Sequence, residues 1–516
     1  LFKVRVNQLL LLPFLVIFYF VLHECNANFG LIPAGVLIKH TIYYVLTAAG
    51  VLALSYVILK KTAKAVLFTF LIVCLLLFFG SFHDLVKQLP VGRFVKRYVF
   101  IYPFLTVTMV AAFMVIRRRN SNFQRLVKYL QITALILLAW EGAFFFVNLF
   151  NGKASRNILF ADTTHEPALQ ARAFPNEQKP DIYFIVFDAY TSTRCLREEF
   201  DYDNSALDSF LRAKKFYIVT HGKSNYPVTP YSIASTLNFS YLTPAVTRHT
   251  FTAQDIVKGM KSIEHVRLVP YLEQQGYAVF NHSIFNLPGH PVKENEFFGY
   301  LKEGLLTRQT FVERFRADIG WNFSMRNWRT GAVTTAEVFP KERTKWLRTF
   351  LYNELDGLQK ALSKQQEQPK FVYCHVLMPH EPYYFNSDGS FVSDAVFYFS
   401  KQPKTSYRNQ LIHTNTILRD VVNSIFTCDH KNKIVIVEGD HGFRDYGQKD
   451  KAKRIFENLN AIYFYDGNYS ALYNTMSPVN TFRVVLNQYF HENLPYLKDS
   501  SIFIKDPGID LGDYKP

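Results

Sequence analysis

The chain has 516 residues, a formal net charge of +16, 49% hydrophobic residues, 49 Phe and 31 Tyr. That length admits more than one domain, and a mean hydropathy of -0.01 is high for a soluble protein. A basic balance suits nucleic acid or an anionic membrane surface. No long basic run or zinc-finger spacing supports nucleic acid, so the charge is better read as cationic cytoplasmic loops on a membrane protein that handles anionic lipids or phosphates.

In chain order, five apolar stretches come first, at about 9–22, 42–59, 65–82, 98–116 and 129–150. Each approaches the roughly 20 residues needed to cross a bilayer. No small-residue cleavage site follows the first, so an uncleaved membrane domain over 1–150 is expected. Lys3 and Arg5, then Lys60, Lys61 and Lys64, then Arg117 to Arg119 with Arg125 and Lys128 fall on one side. Lys87, Arg93, Lys96 and Arg97 fall on the other. The larger set marks the cytoplasmic side, which puts everything after Phe150 outside the cytoplasm, with the cytoplasmic membrane as the host. Glu141 lies inside the fifth stretch. An acid there is a functional candidate, set against the plainer reading of a carboxylate turned into the bundle and hydrogen-bonded.

Residues 151–179 are polar, with Pro167 and Pro175, and read as a tether. The head is expected over 180–516. Strand-like runs occur at 182–187, 216–219, 277–280, 371–376, 434–437 and 461–465; helical periodicity occurs at 204–214, 262–275, 341–363, 406–426 and 478–489. Such alternation implies an α/β head, with a mostly parallel sheet between helices. Of the five cysteines, Cys195, Cys374 and Cys428 fall in the polar part and allow at most one disulfide there.

The stretch 433–444, KIVIVEGDHGFR, runs a buried-strand pattern into Asp440 and His441 flanked by glycines that let the backbone approach a ligand. An oxygen and a nitrogen donor at a strand's carboxyl end suit a divalent metal. The first head strand likewise ends in Asp188. Thr229, ahead of Pro230, fits a helix N-cap. A hydroxyl at that position also stands where a helix end favours phosphate, and a metal on the same oxygen makes it a nucleophile. His380 follows another strand in a Pro-His loop, suited to protonating a leaving group or binding phosphoryl oxygens. His375, within that strand, reads as structural.

A strand-end Asp188, the hydroxyl run Thr229-Pro-Tyr-Ser232-Ile-Ala-Ser235, Pro379-His380 and Asp440-His441-Gly442, in this order, resemble the alkaline phosphatase/sulfatase superfamily. With five apolar spans ahead of them, the chain resembles its membrane-anchored branch, which includes lipoteichoic acid synthases and phosphoethanolamine transferases. The segments 459–464 and 477–483 add to the likeness, which covers most of 180–490. The resemblance implies that Asp188, Asp440 and His441 ligate one or two divalent ions (zinc, manganese or magnesium), with Thr229 as both ligand and nucleophile and His380 contacting substrate. It implies a membrane phospholipid donor of a phosphoethanolamine or glycerol phosphate type head group, and an envelope glycan or lipid acceptor. Asp188 stands where the lipoteichoic acid synthase type carries Glu. The signature processed to formylglycine in sulfatases is absent, which argues against an ordinary sulfatase. Two other readings stay open: a phosphatase, phosphodiesterase or sulfuric ester hydrolase of the same fold, and a catalytically inactive envelope sensor or scaffold. Five spans with one buried acid offer little of a transport path.

Overall fold

The computed structural model describes residues 8–152, 158–160, 169, 179–242, 251–292, 299–318, 341–364, 366–392, 403–428, 432–444 and 454–504. It divides into two compact units: 1–157 with 298–333, and 158–297 with 334–516. The linear order expected from composition is therefore interrupted by one excursion of the later chain. The tether expected over 151–179 lies for the most part outside the described residues.

The first unit is built on α1 (Leu12–Ala27), α2 (Ala34–Leu59), α3 (Thr62–Gln88), α4 (Tyr98–Arg118) and α5 (Gln124–Phe150). All five, the first together with the 3-10 turn Gln8–Leu11 ahead of it, are long and apolar enough to span a membrane. They match the expected stretches, with α1 shifted a few residues later and the others running on into polar flanks such as Arg117 and Arg118 or residues 124–128. Lys64 Nζ donates to the carbonyls of Arg117 (3.0 Å) and Arg119 (2.7 Å), so two of the basic groups lie at one end of the unit. Glu141 is buried on α5. His23 Nδ1 lies 2.8 Å from one of its oxygens, and Asn26 Nδ2 donates to the other at 2.7 Å. The plainer reading of this acid is the one the packing supports.

Two further helices belong to this unit, α11 (Gly299–Thr307) and α12 (Phe311–Asp318). Gly80 N donates to Gln309 O (2.7 Å), Arg314 pairs with Asp84 (2.5 Å), and Phe311 meets Phe79 edge-on at 5.1 Å.

The second unit is a six-stranded sheet in the order β2-β6-β5-β1-β4-β3. The strands are β1 (Asp181–Phe187), β2 (Tyr217–Ile218), β3 (Ala278–His282), β4 (Lys370–Val376), β5 (Lys433–Glu438) and β6 (Asn460–Phe464). Between them run α6 (Thr193–Phe200), α7 (Ser205–Ala213), α8 (Thr229–Asn238), α9 (Ala253–Ile263), α10 (Leu268–Gln274), α13 (Lys341–Ser363), α14 (Pro403–Cys428) and α15 (Thr481–Phe490). β5, β1, β4 and β3 are parallel, and β6 runs antiparallel to both of its neighbours. A mostly parallel sheet between helices is what the alternating pattern implies.

β1 reads DIYFIVF and is buried throughout, because both of its faces are covered. Tyr183, Ile185 and Phe187 join Leu358 of α13 and Leu411, Leu418 and Val422 of α14 in one core. On the opposite face Phe184 stacks on Tyr373 and meets Phe482 of α15. Each fully buried aromatic contributes roughly 1.5–3 kcal/mol through apolar burial. Pairing β1 with β4 on one side and β5 on the other carries three strand ends to one edge.

One helix differs from its sequence pattern. The period seen over 262–275 belongs to two helices, α9 and α10. Thr252 and Asp255 form a capping box that starts α9 well before Ser262, and Glu264 ends it.

Candidate active site

Asp188 ends β1, Asp440 and His441 follow β5, His375 lies near the end of β4 with His380 in the loop beyond it, and Thr229 opens α8. The topology brings all six together, and hydrogen bonds from main-chain amides fix the strand ends to one another. His380 N donates to Asp188 O (3.1 Å), and Ala189 N donates to Asp440 Oδ1 (2.9 Å). Ala189 adopts a left-handed conformation (φ 60°), uncommon for a residue with a side chain, and this turn points its amide at Asp440.

The glycines around Asp440 and His441 serve a different purpose from the one their sequence suggests. A Cβ at Gly439 would lie 2.3 Å from Tyr190 O, and one at Gly442 2.4 Å from Glu457 O. They let backbone meet backbone, which is how this loop comes to rest against the end of β1.

Thr229 is also differently placed. It is the first residue of α8, with Val228 as N-cap and Pro230 behind it, so its hydroxyl lies off the cap position. The Tyr231 and Ser232 amides both donate to Val228 O, and Pro230 has none, so this helix end offers few amides to an anion. Thr229 Oγ1 instead lies 3.3 Å from His441 Nε2. His441 Nδ1 lies 2.7 Å from Gly442 O, which can only accept; Nδ1 therefore carries the proton and Nε2 presents a lone pair. That lone pair faces Asp440 Oδ2 at 3.5 Å and Asp188 Oδ1 at 3.7 Å.

Burial is nearly complete: Asp440 and His441 have no exposed surface, and Thr229 is 7% exposed. Burial alone would raise both acids. It does raise Asp440, to about 6, with the charge of Asp188 adding to it. Asp188 goes the other way and is held well below the usual carboxylate range, because His380, His375 and His441 outweigh its burial. His441 is pushed down to about 3 by burial and then by Arg444. Asp188 Oδ1, Asp440 Oδ2 and His375 Nε2 are shielded and have no hydrogen-bond partner. Buried polar atoms rarely stay unpaired. Oxygen and imidazole donors left open toward one another fit a divalent cation. Asp188, His380 and His441 form one group with ligand atoms within 4.8 Å of each other; Asp188, His375 and Asp440 form a second.

Two residues join the cluster that sequence reasoning did not select. His375, read there as structural, is fully buried with Nδ1 2.9 Å from Tyr373 Oη and Nε2 3.5 Å from Asp188 Oδ2. Its signal was its place one residue short of the strand's end, beside a strand that ends in an acid. Arg444 Nη2 donates to His380 Nε2; a cation four residues beyond Asp440 was its only mark. His380 and Arg444 are the half-buried members, so the cluster opens to solvent past them.

No family model and no curated protein matches this chain. Among solved structures, it is similar to the C-terminal periplasmic domain of EcEptC from Escherichia coli in complex with Zn (12% identity, TM-score 0.37, 66% of this chain and 91% of that one). It is similar to the corresponding domain of phosphoethanolamine transferase EptC from Campylobacter jejuni (13% identity, TM-score 0.36, 64% and 95%). It is also similar to the integral membrane lipooligosaccharide phosphoethanolamine transferase A from Neisseria meningitidis (11% identity, TM-score 0.34, 93% and 95%).

Proposed function

We propose that this chain is a metal-dependent membrane phosphotransferase that moves a phosphoryl-linked head group from a phospholipid, through a covalent Thr229 intermediate, to a hydroxyl on an envelope glycan or lipid. Its host is the cytoplasmic membrane, with the head on the outer face. The observation that supports this most is Thr229: its hydroxyl lies off the cap position and faces the His441 lone pair beside two unpartnered acid oxygens.

Asp188, Asp440 and His441, with Thr229, are the residues we assign to holding a divalent ion, with His375 and His380 available to the same cluster. When bound, such an ion lowers the pKa of a coordinated hydroxyl and offsets charge on phosphoryl oxygens. Thr229 Oγ1 forms a bond to phosphorus as the bond from phosphorus to the diacylglycerol oxygen breaks. The proton that Thr229 gives up goes to the departing oxygen, and we assign His380 Nε2 to carry it once Arg444, which donates to that nitrogen, turns to the phosphoryl oxygens. Arg444, bonded to His380, suits the phosphoryl oxygens. In the second half an acceptor hydroxyl attacks the same phosphorus, and Thr229 Oγ1 leaves and regains a proton.

The test is to incubate the full chain and Thr229→Ala with phospholipid vesicles and take intact and peptide masses. An adduct is expected on the Thr229 peptide of the wild type only, with transfer by the variant lower by on the order of 10³-fold or more. No adduct, with a soluble phosphate or sulfate ester still cleaved, would make the chain a hydrolase. No adduct, no cleavage and no bound metal would leave a scaffold.

A further inference from the structure

The first unit contains a cavity of about 360 Å³ between α2, α3, α11 and α12, within the size range of small-molecule sites. Its floor is apolar: Ala48 and Val51 of α2 face Val73 and Leu77 of α3. Beside it α2 leaves Ile42, Leu46 and Leu54 uncovered, as a surface facing hydrocarbon would.

The mouth has a different chemistry. His40 and Lys60 lie about 30 Å apart along α2 at 1.5 Å per residue, close to the thickness of a bilayer core. The mouth at His40 is thus at the interface opposite the basic turns. His40 Nε2 lies 2.9 Å from Glu303 Oε1, and Arg316 Nη2 pairs with Glu313 Oε1 at 2.7 Å. Two carboxylates and their three basic partners, His40, Arg316 and Lys39 (3.4 Å from Glu303 Oε1), therefore frame one opening. One turn deeper, the Tyr44 hydroxyl lines the cavity, shielded and without a hydrogen-bond partner. At that depth a lipid presents ester carbonyl oxygens, which accept hydrogen bonds.

We propose that this cavity seats a resident zwitterionic phospholipid bearing a primary amine. One acyl chain fills the floor, an ester oxygen accepts from Tyr44, the ammonium lies at Glu303 and Glu313, and the phosphate lies at His40 and Arg316. An anionic head group would bring its phosphate to the same acids with no ammonium to answer them. The lipid ties the α11–α12 excursion to α2 and α3, and nothing in this role requires it to react, so the site stands apart from the phosphotransferase reading.

The full chain is reconstituted into bilayers of equal parts phosphatidylethanolamine and phosphatidylglycerol, re-extracted in mild detergent, and its retained lipid identified by native mass spectrometry. The wild type should retain a single phosphatidylethanolamine, enriched at least several-fold over phosphatidylglycerol. Ala48→Trp, which fills the floor, should lose it. Glu303→Gln with Glu313→Gln, which preserves side-chain shape, should remove the enrichment, and this variant decides the matter if Ala48→Trp does not fold. Retention in the bulk ratio, a preference for phosphatidylglycerol or an isoprenoid lipid, or an enrichment unchanged in the Gln variant would overturn the proposal. Adduct formation at Thr229, measured on the same samples, reports separately on the reaction.

Discussion

Asp188 and Asp440 share one small buried volume, and their opposite shifts show what that costs. One is held low because its histidine neighbours, His380 first, outweigh its burial, and the other is driven toward neutrality. A cation between them would relieve the conflict, so metal binding should register as stability. Metal-stripped full chain is expected to gain about 2.7 kcal/mol in unfolding free energy when Zn²⁺ is raised to 100 times its dissociation constant, read from denaturant midpoints. Asp440→Asn should lose most of that gain, and its metal-free form should be more stable than metal-free wild type. Equal responses in the two proteins would show that Asp440 is no ligand. Much of this residue scale is legible in the sequence, because an acid at the end of an apolar run is a local pattern. His375 is not, since an interior strand histidine looks like core until its neighbour strand is known. Thr229 is legible as a helix-start residue; whether its hydroxyl caps or faces outward depends on one residue of helix phase.

At the scale of elements, the site depends on how closely the β5–β6 connection lies against the end of β1. Gly439 N donates to Leu459 O (2.8 Å), and Leu459 N donates to Tyr190 O (3.0 Å). With 2.3 Å available to a Cβ at Gly439, Gly439→Ala must push these segments apart. A loss of about 1–3 kcal/mol is expected from overpacking of this kind, with metal affinity falling alongside it; calorimetry with Zn²⁺ and a denaturant series measure the two. Unchanged affinity in a destabilised variant would show that the loop's position is not what orders the ligands. The six strands are legible because each is a short apolar run. Their order is not, since only the pairing of β1 with β4 and β5 reveals that Asp188, His375 and Asp440 are neighbours.

For the whole molecule, the orientation we propose rests on the balance of basic turns, and the Lys64 contacts with Arg117 and Arg119 put two of those turns at one end of the unit. A cysteine at Lys61 should react with a membrane-impermeant maleimide only after cells are opened, whereas one at Asn151 should react in intact cells. Both are placed in a chain whose native cysteines are replaced by serine. The reverse pattern would invert the topology and move the head to the cytoplasm. The helices α11 and α12 were not legible as partners of the first unit: their composition is that of the head around them, and what sets them apart is contact with residues more than two hundred positions earlier.

The hydrogen bonds joining the ends of β1, β4 and β5 have an evolutionary consequence. The mount for these strand ends is largely backbone, with Asp440 Oδ1 the side-chain member of it, and most of the acids and imidazoles it carries can be exchanged without disturbing it. On the metal assignment we propose, a change of side chain at position 188 retunes the site while the scaffold stays as it is, because the Asp188 amide and carbonyl bond to Val376 O and His380 N. Such a chain can diverge in chemistry faster than in shape, and its sequence can drift far while strand ends continue to deliver acids and imidazoles to the same point.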